Sequence, residues 1–219
     1  MKQNQGCFRI ILFFIVLSLF QASYSAVTED FNVDGVELYR EAVGPKSNKE
    51  KIEAAEKYFT QHSTIGNDSF RYKLRLASII SIKARNAFWP NEKLDFVNKS
   101  INLFSETKRD VESANNKFYQ YEFYYFRGHT MINFPDFLKK ENIALEDLDN
   151  AYELAVALKR PQKEILGTSV TLALKYFDNK EYTKARKFAE IIVNMAEDET
   201  QAKEYRKVLK KIIEYKETQ

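Results

Sequence analysis

Leu166 to Glu197 reads LGTSVTLALKYFDNKEYTKARKFAEIIVNMAE, and the fold follows from this stretch. Leu172-Ala173 precedes Tyr176 by one helical turn. Tyr182 follows the tight turn Asp178-Asn179-Lys180, and Ala185, Ala189 and Ile192 line one face of a second helix. Small residues let two antiparallel helices cross closely, and the larger ones fill the space between them. One such pair cannot bury its apolar face alone, so neighbouring pairs must stack on it.

The rest of the chain repeats the helical period. Helices are predicted at Val33–Ala42, Ser47–Gln61, Ser69–Ala87, Asn91–Thr107, Val111–Asn133, Glu141–Leu158, Gln162–Phe177, Glu181–Met195 and Glu199–Glu214. Ser47 is the expected N-cap of the second, with Glu50 three residues on as in a capping box. Gly and Pro number only 6 and 4, and no run alternates as a strand does, so the class is all-α. Short connections make neighbouring helices antiparallel, and no linker is long enough to divide the chain. The expectation is one domain over 26–219, closed by a charged capping helix.

Residues 1–25 read as a secretory signal. Lys2 and Arg9 give the positive start, Ile10–Phe20 is almost wholly apolar, and Ser23-Tyr24-Ser25 places small residues at the cleavage positions. The apolar run falls short of the roughly 20 residues that span a bilayer, so cleavage after Ser25 is expected and an uncleaved anchor is the alternative. Cys7 lies before the apolar run, away from a lipoprotein cleavage site, and as the only cysteine it leaves with the signal. Loss of Lys2 and Arg9 brings the formal net charge from +3 to +1. No domain-wide basic field points to nucleic acid. Ala26–Asn32 is polar.

The pair at Leu166–Glu197 resembles a tetratricopeptide repeat, without the usual tryptophan near its start or the closing proline. Tyr124, Phe126 and Gly128, completed by Ala144, Leu148 and Ala151, form a comparable pair around a longer loop. Arg127-Gly128, Phe134-Pro135-Asp136-Phe137-Leu138, Ala144 and Asp147-Leu148 lie in this pair. Upstream stand Lys83-Ala84-Arg85-Asn86-Ala87-Phe88-Trp89-Pro90, with Lys93-Leu94 and Val97 after them. Together these segments resemble a group of exported bacterial tetratricopeptide-like proteins without an assigned activity, over about residues 70 to 195. The resemblance implies a right-handed α-solenoid of about nine helices and a periplasmic, envelope-associated or secreted location. It implies no substrate.

Candidate chemistry is sparse. His62 and His129 have no partner at a metal-ligand spacing, and no phosphate loop or nucleophile elbow appears. No catalytic residue, cofactor or metal is expected. The aromatic run Phe118–Phe126 covers nearly the whole circumference of its helix, which places that helix centrally. Aligning Gly128 with the small residue of the repeat points Glu122, Tyr125, His129 and Asn133 toward a concave groove. The same alignment on Ala77 adds Arg71 and Ser78. Arg127, among apolar neighbours, needs a partner if it points inward, and Asp147 is the candidate, with Asp136 second. Sequons at Asn67 and Asn98 carry no meaning in a bacterial source.

The function these features support is an exported binding or scaffolding protein that holds a protein or peptide partner in a bacterial envelope, without catalysis. A small-ligand or enzyme site near the Pro135 loop is one alternative. An accessory subunit of an envelope transport or assembly complex is another. Membrane association is expected only if the signal is uncleaved.

Overall fold

A computed structural model describes residues 34–213 except 65, 67, 197 and 198. The predicted signal, residues 26–32 and the sequon asparagine at 67 lie outside the described residues. Those described form nine α-helices and one 3-10 turn, with no strand among them. The helices are α1 (Val36–Val43), α2 (Lys49–His62), α3 (Ser69–Asn86), α4 (Pro90–Ala114), α5 (Lys117–Met131), α6 (Glu141–Ala157), α7 (Gln162–Asp178), α8 (Tyr182–Asn194) and α9 (Glu199–Ile213). The 3-10 turn spans Asp136–Leu138, between α5 and α6. The chain divides into two compact units, which meet between Lys159 and Arg160.

Most helix ends fall within two residues of expectation; the exceptions are the start of α1, the end of α4 and the start of α5, at Lys117 instead of Val111, and the cap of α2 also differs. Asn48, not Ser47, caps α2, because its side-chain oxygen accepts from the Lys51 amide at 3.0 Å. Ser47 turns the other way and donates its hydroxyl to the Ala42 carbonyl. The larger departure is α4, which runs on to Ala114 instead of ending near Thr107. The gap expected at Lys108–Asp110 does not form, because Phe104, Thr107 and Val111 lie on one buried face of an unbroken helix. The break lies at Asn115-Asn116. Asn115 takes the left-handed conformation at φ 45°, which asparagine tolerates better than most residues. The Asn116 side chain then accepts from the Phe118 and Tyr119 amides and opens α5. Pro90 stands at the first position of α4, where its missing N–H is not needed.

In the unit ending at Lys159, α1–α2, α3–α4 and α5–α6 are successive helix pairs, with α1 against α3 and α3 against α5. Two contacts fix α3 and α5 as parallel: Arg71 meets Glu122, and seven residues on, Ser78 meets Thr130. Ser100 donates to the Ala77 carbonyl at 2.8 Å and binds α4 to the middle of α3. Within the α5–α6 pair the helices approach closely at Gly128. A Cβ built there would lie 2.9 Å from Leu148 Cγ and 3.1 Å from Asp147 Cβ.

In the unit beginning at Arg160, α7 packs on α8 and α8 on α9. Leu172, Ala173 and Tyr176 are buried on α7, and Ala185, Phe188, Ala189 and Ile192 on α8. The rings of Tyr176 and Phe188 stack at 6.1 Å. Lys180 reverses the chain in the left-handed region at φ 64°. The Lys180 amide donates to Phe177 O and the Glu181 amide to Tyr176 O, the two bonds that close a Schellman turn. Ala202, Tyr205, Leu209 and Ile212 make the buried face of α9.

Gly128→Ala is expected to destabilise the protein by about 1–3 kcal/mol, because Leu148 and the α6 backbone must shift to admit the methyl group. Helix propensity alone would favour alanine by about 1 kcal/mol. Urea unfolding of the two proteins separates the effects: a variant at least as stable as the parent means that the helices do not cross closely at this point.

Candidate functional site

The α3–α5 seam begins with three charges. The Arg71 side chain donates from Nε and Nη2 to the two oxygens of Glu122, at 2.6 and 3.0 Å. Arg75, one turn on, donates from Nη2 to Glu122 Oε1 at 3.0 Å and from Nη1 to the Arg71 carbonyl at 2.8 Å. Glu122 is 0% exposed and Arg75 1%, while Arg71 sits nearer the rim at 8%. Burial pulls the inner Arg75 guanidinium below its ordinary basicity against the attraction of Glu122. At Arg71 burial acts the same way, but the Glu122 bonds, with Asp68 and Tyr119 adding, outweigh it and raise the basicity.

The aromatic helix supplies the remaining surroundings of these cations. Arg71 lies over the Phe118 and Tyr119 rings at 5.5 and 5.7 Å, and Arg75 over Phe126 at 4.8 Å. A ring face attracts a cation, most strongly where water is excluded. The Tyr119 hydroxyl donates to Asp68 Oδ1 at 3.0 Å. The ring distribution that places α5 centrally thus provides cation-binding walls inside the seam.

Further along, the Ser78 and Thr130 hydroxyls meet at 2.9 Å. His129 is buried with its ring 4.4 Å from that of Tyr125, and burial lowers its pKa from 6.5 to about 3. Asn133 does not join the seam. It is exposed, and its amide donates to the His129 carbonyl at 2.8 Å, at the end of α5. On the other side of α5, Arg127 donates from Nε and Nη2 to the two oxygens of Asp147, both at 2.6 Å, and covers the Phe123 ring at 4.4 Å. Burial pushes the Asp147 carboxyl above its usual range, although both Arg127 bonds pull it down.

Of the six groove residues predicted, the structure joins Arg71, Ser78 and Glu122 across the seam, buries Tyr125 and His129 beside each other on α5, and leaves Asn133 exposed at its end. The expectation of an open concavity is corrected for a physical reason. The side of α5 that carries Glu122 and Thr130 is the side on which α3 packs, so these groups bond Arg71, Arg75 and Ser78 instead of water. Sequence reasoning missed Arg75 and Thr130. Arg71, Arg75 and Ser78 stand at i, i+4 and i+7, so the periodicity that selected the outer two also placed Arg75 on their face. His62 lies apart, with its ring 4.0 Å from Tyr58 and 5.4 Å from Tyr72 and its Nδ1 2.8 Å from the Tyr58 carbonyl. No group of three or more His, Cys, Asp or Glu among the described residues is placed to hold a metal ion.

No protein-family model, no curated protein and no solved structure matches this chain.

Two measurements probe the seam. Glu122→Gln leaves two buried guanidinium groups without their counter-charge and is expected to cost about 3–5 kcal/mol in urea unfolding. Replacing all three charges by apolar residues of similar volume (Arg71→Leu, Arg75→Met, Glu122→Leu) should recover most of that loss. A Glu122→Gln protein as stable as the parent would contradict the pairing. His129 gives a pH dependence. Its folded pKa is depressed, so its contribution is complete above pH 6.5, where the unfolded chain is also neutral. Below that the unfolded chain takes up a proton that the folded chain refuses until about pH 3. Stability should therefore fall by about 1.4 kcal/mol per pH unit from this one group. His129→Gln should flatten the slope between pH 6.5 and 5, and an unchanged slope would show that the imidazole is free to protonate in the fold.

Proposed function

We propose that the chain is an exported, tetratricopeptide-like binding or scaffolding protein that acts by protein–protein contact in a bacterial envelope, without catalysis. The observation that carries this reading is what the polar groups of α3 and α5 are used for. Arg71, Arg75 and Glu122 bond one another across the seam, and Ser78 meets Thr130. They hold successive helix pairs side by side, as a stacked scaffold requires.

The α7–α8 pair supports the family likeness: Ala173, Ala185 and Ala189 are fully buried where the sequence predicts a close helix crossing. A right-handed α-solenoid, and periplasmic, envelope-associated or secreted placement, are parts of the same proposal. The sequence basis for export is the order of charge, apolar run and small residues in 1–25. A ligand or enzyme site at the Pro135 loop finds no support from Arg127, since its guanidinium is already bonded at two points to Asp147. An accessory role in an envelope transport or assembly complex is a special case of the scaffold reading, with that complex as the partner.

Affinity capture of the tagged chain from envelope extracts should return one reproducible partner in amounts comparable with the bait, and N-terminal sequencing of the bait should begin at Ala26. A folded bait that repeatedly returns alone argues against scaffolding, and a bait that keeps Met1 argues against export by a cleaved signal.

A further inference from the structure

Six large apolar side chains are exposed among the described residues, three of them strongly, and five of the six belong to one end of one unit. Phe88 is 80% exposed and Trp89 64%, on the three-residue connection between α3 and α4. Phe137 is 74% exposed on the 3-10 turn between α5 and α6. Because α3 and α5 run parallel, the segments that leave their C-terminal ends emerge at the same end of the unit. Leu94 and Ile143, near the starts of α4 and α6, share it. Val156, the sixth, lies near the other end of α6.

We propose that this end is a membrane-contact tip, with Phe88, Trp89 and Phe137 entering the interfacial layer of a lipid bilayer. The rings stand exposed on turns between helices. A bilayer accepts such rings without a shaped pocket, and Trp favours the level of the headgroups. The first turn is stiff: Ala87 and Trp89 are extended, and Pro90 holds the backbone at the start of α4. The Phe88 and Trp89 rings lie 5.0 Å apart at 90°, so the pair is presented as one wedge. Its surroundings are electrically balanced. Arg85 and Lys93 offset Glu92 and Asp95 beside the first turn. Lys139 and Lys140 offset Asp136 and Glu141 beside the second. Insertion therefore rests on apolar surface and needs no anionic lipid. The chain's own Ile10–Phe20 run, outside the described residues, is the segment that would bring it to a membrane. The tip makes a second contact that survives removal of that run.

Trp89 is the only tryptophan in the chain, so its emission reports on the tip directly. Because Ile10–Phe20 can itself hold the chain on a vesicle, the readout is the depth of Trp89 and not binding alone. The full chain is mixed with vesicles of phosphatidylcholine, with and without phosphatidylglycerol. Trp89 emission should move to shorter wavelength in both, and lipids brominated high on the acyl chain should quench it at least about twofold. The double variant Phe88→Ser/Phe137→Ser keeps Trp89 and alters only exposed side chains. It should keep its helical circular dichroism and lose most of the quenching. Emission that stays that of a water-exposed indole in both vesicles overturns the proposal. So does insertion that requires phosphatidylglycerol and disappears in high salt, which would make charge the driver. A blue shift without lipid that grows with protein concentration overturns it too, because a second copy of the chain would then cover the tip.

Discussion

The carboxylate of Glu122, shared by two guanidinium groups, is the contact on which the packing of α3 against α5 depends. Taking three charges out of water costs several kcal/mol for each, and their attraction repays this only with good geometry and filled hydrogen-bonding positions. That condition dictates the neighbourhood. Arg75 donates its second bond to the Arg71 carbonyl, and both cations rest against rings of α5. A slip of α3 along α5 by one turn, about 5 Å, would strand at least one charge in an apolar seam. The cluster therefore specifies register more than it adds stability. The lowered basicity of Arg75 and the raised pKa of Asp147 agree with this, since burial outweighs pairing in both.

The same constraint explains the composition of α5. A helix with rings on most of its faces suggests either an ordinary core or a binding groove. Here three arginines each lie against a different part of it: Arg71 at Phe118 and Tyr119, Arg75 at Phe126, and Arg127 at Phe123. Leucine would bury as well but offers no face to a cation. Gly128 then lets α6 come close enough for Asp147 to reach Arg127, so the small residue and the ion pair serve one crossing.

Helix number and most boundaries were legible because they depend on local spacing and local breakers. The α7–α8 pair was legible down to its buried alanines for that reason. What failed at short range was a choice between equals. Ser47 and Asn48 both form caps, and only the fold decides which is turned toward the helix amides. The gap expected at Lys108–Asp110 falls in a charged stretch, while the period that continues through Thr107 and Val111 is carried by two residues. The seam was half legible. Its polar residues lie on the faces that alignment indicated, but the contacts that close it join positions about fifty apart in the chain. Spacing within a helix shows which way a side chain points and not what lies opposite.

The exposed rings at Phe88 and Trp89 follow from none of these causes. A chain reversal before Pro90 needs an extended residue at position 89, and many residues satisfy that. The helix start needs only the proline. Elsewhere in the same unit, the rings of α5 are placed against cations or other rings, where their surface is used. Phe88 and Trp89 have one another, and most of their area remains in water. Burial of large rings is among the strongest favourable terms open to a folding chain. A fold that spends its interior rings so fully, yet keeps two on a stiff turn, gains nothing within itself from their being aromatic. In the proposed tip, that exposed ring area is the surface the bilayer takes up.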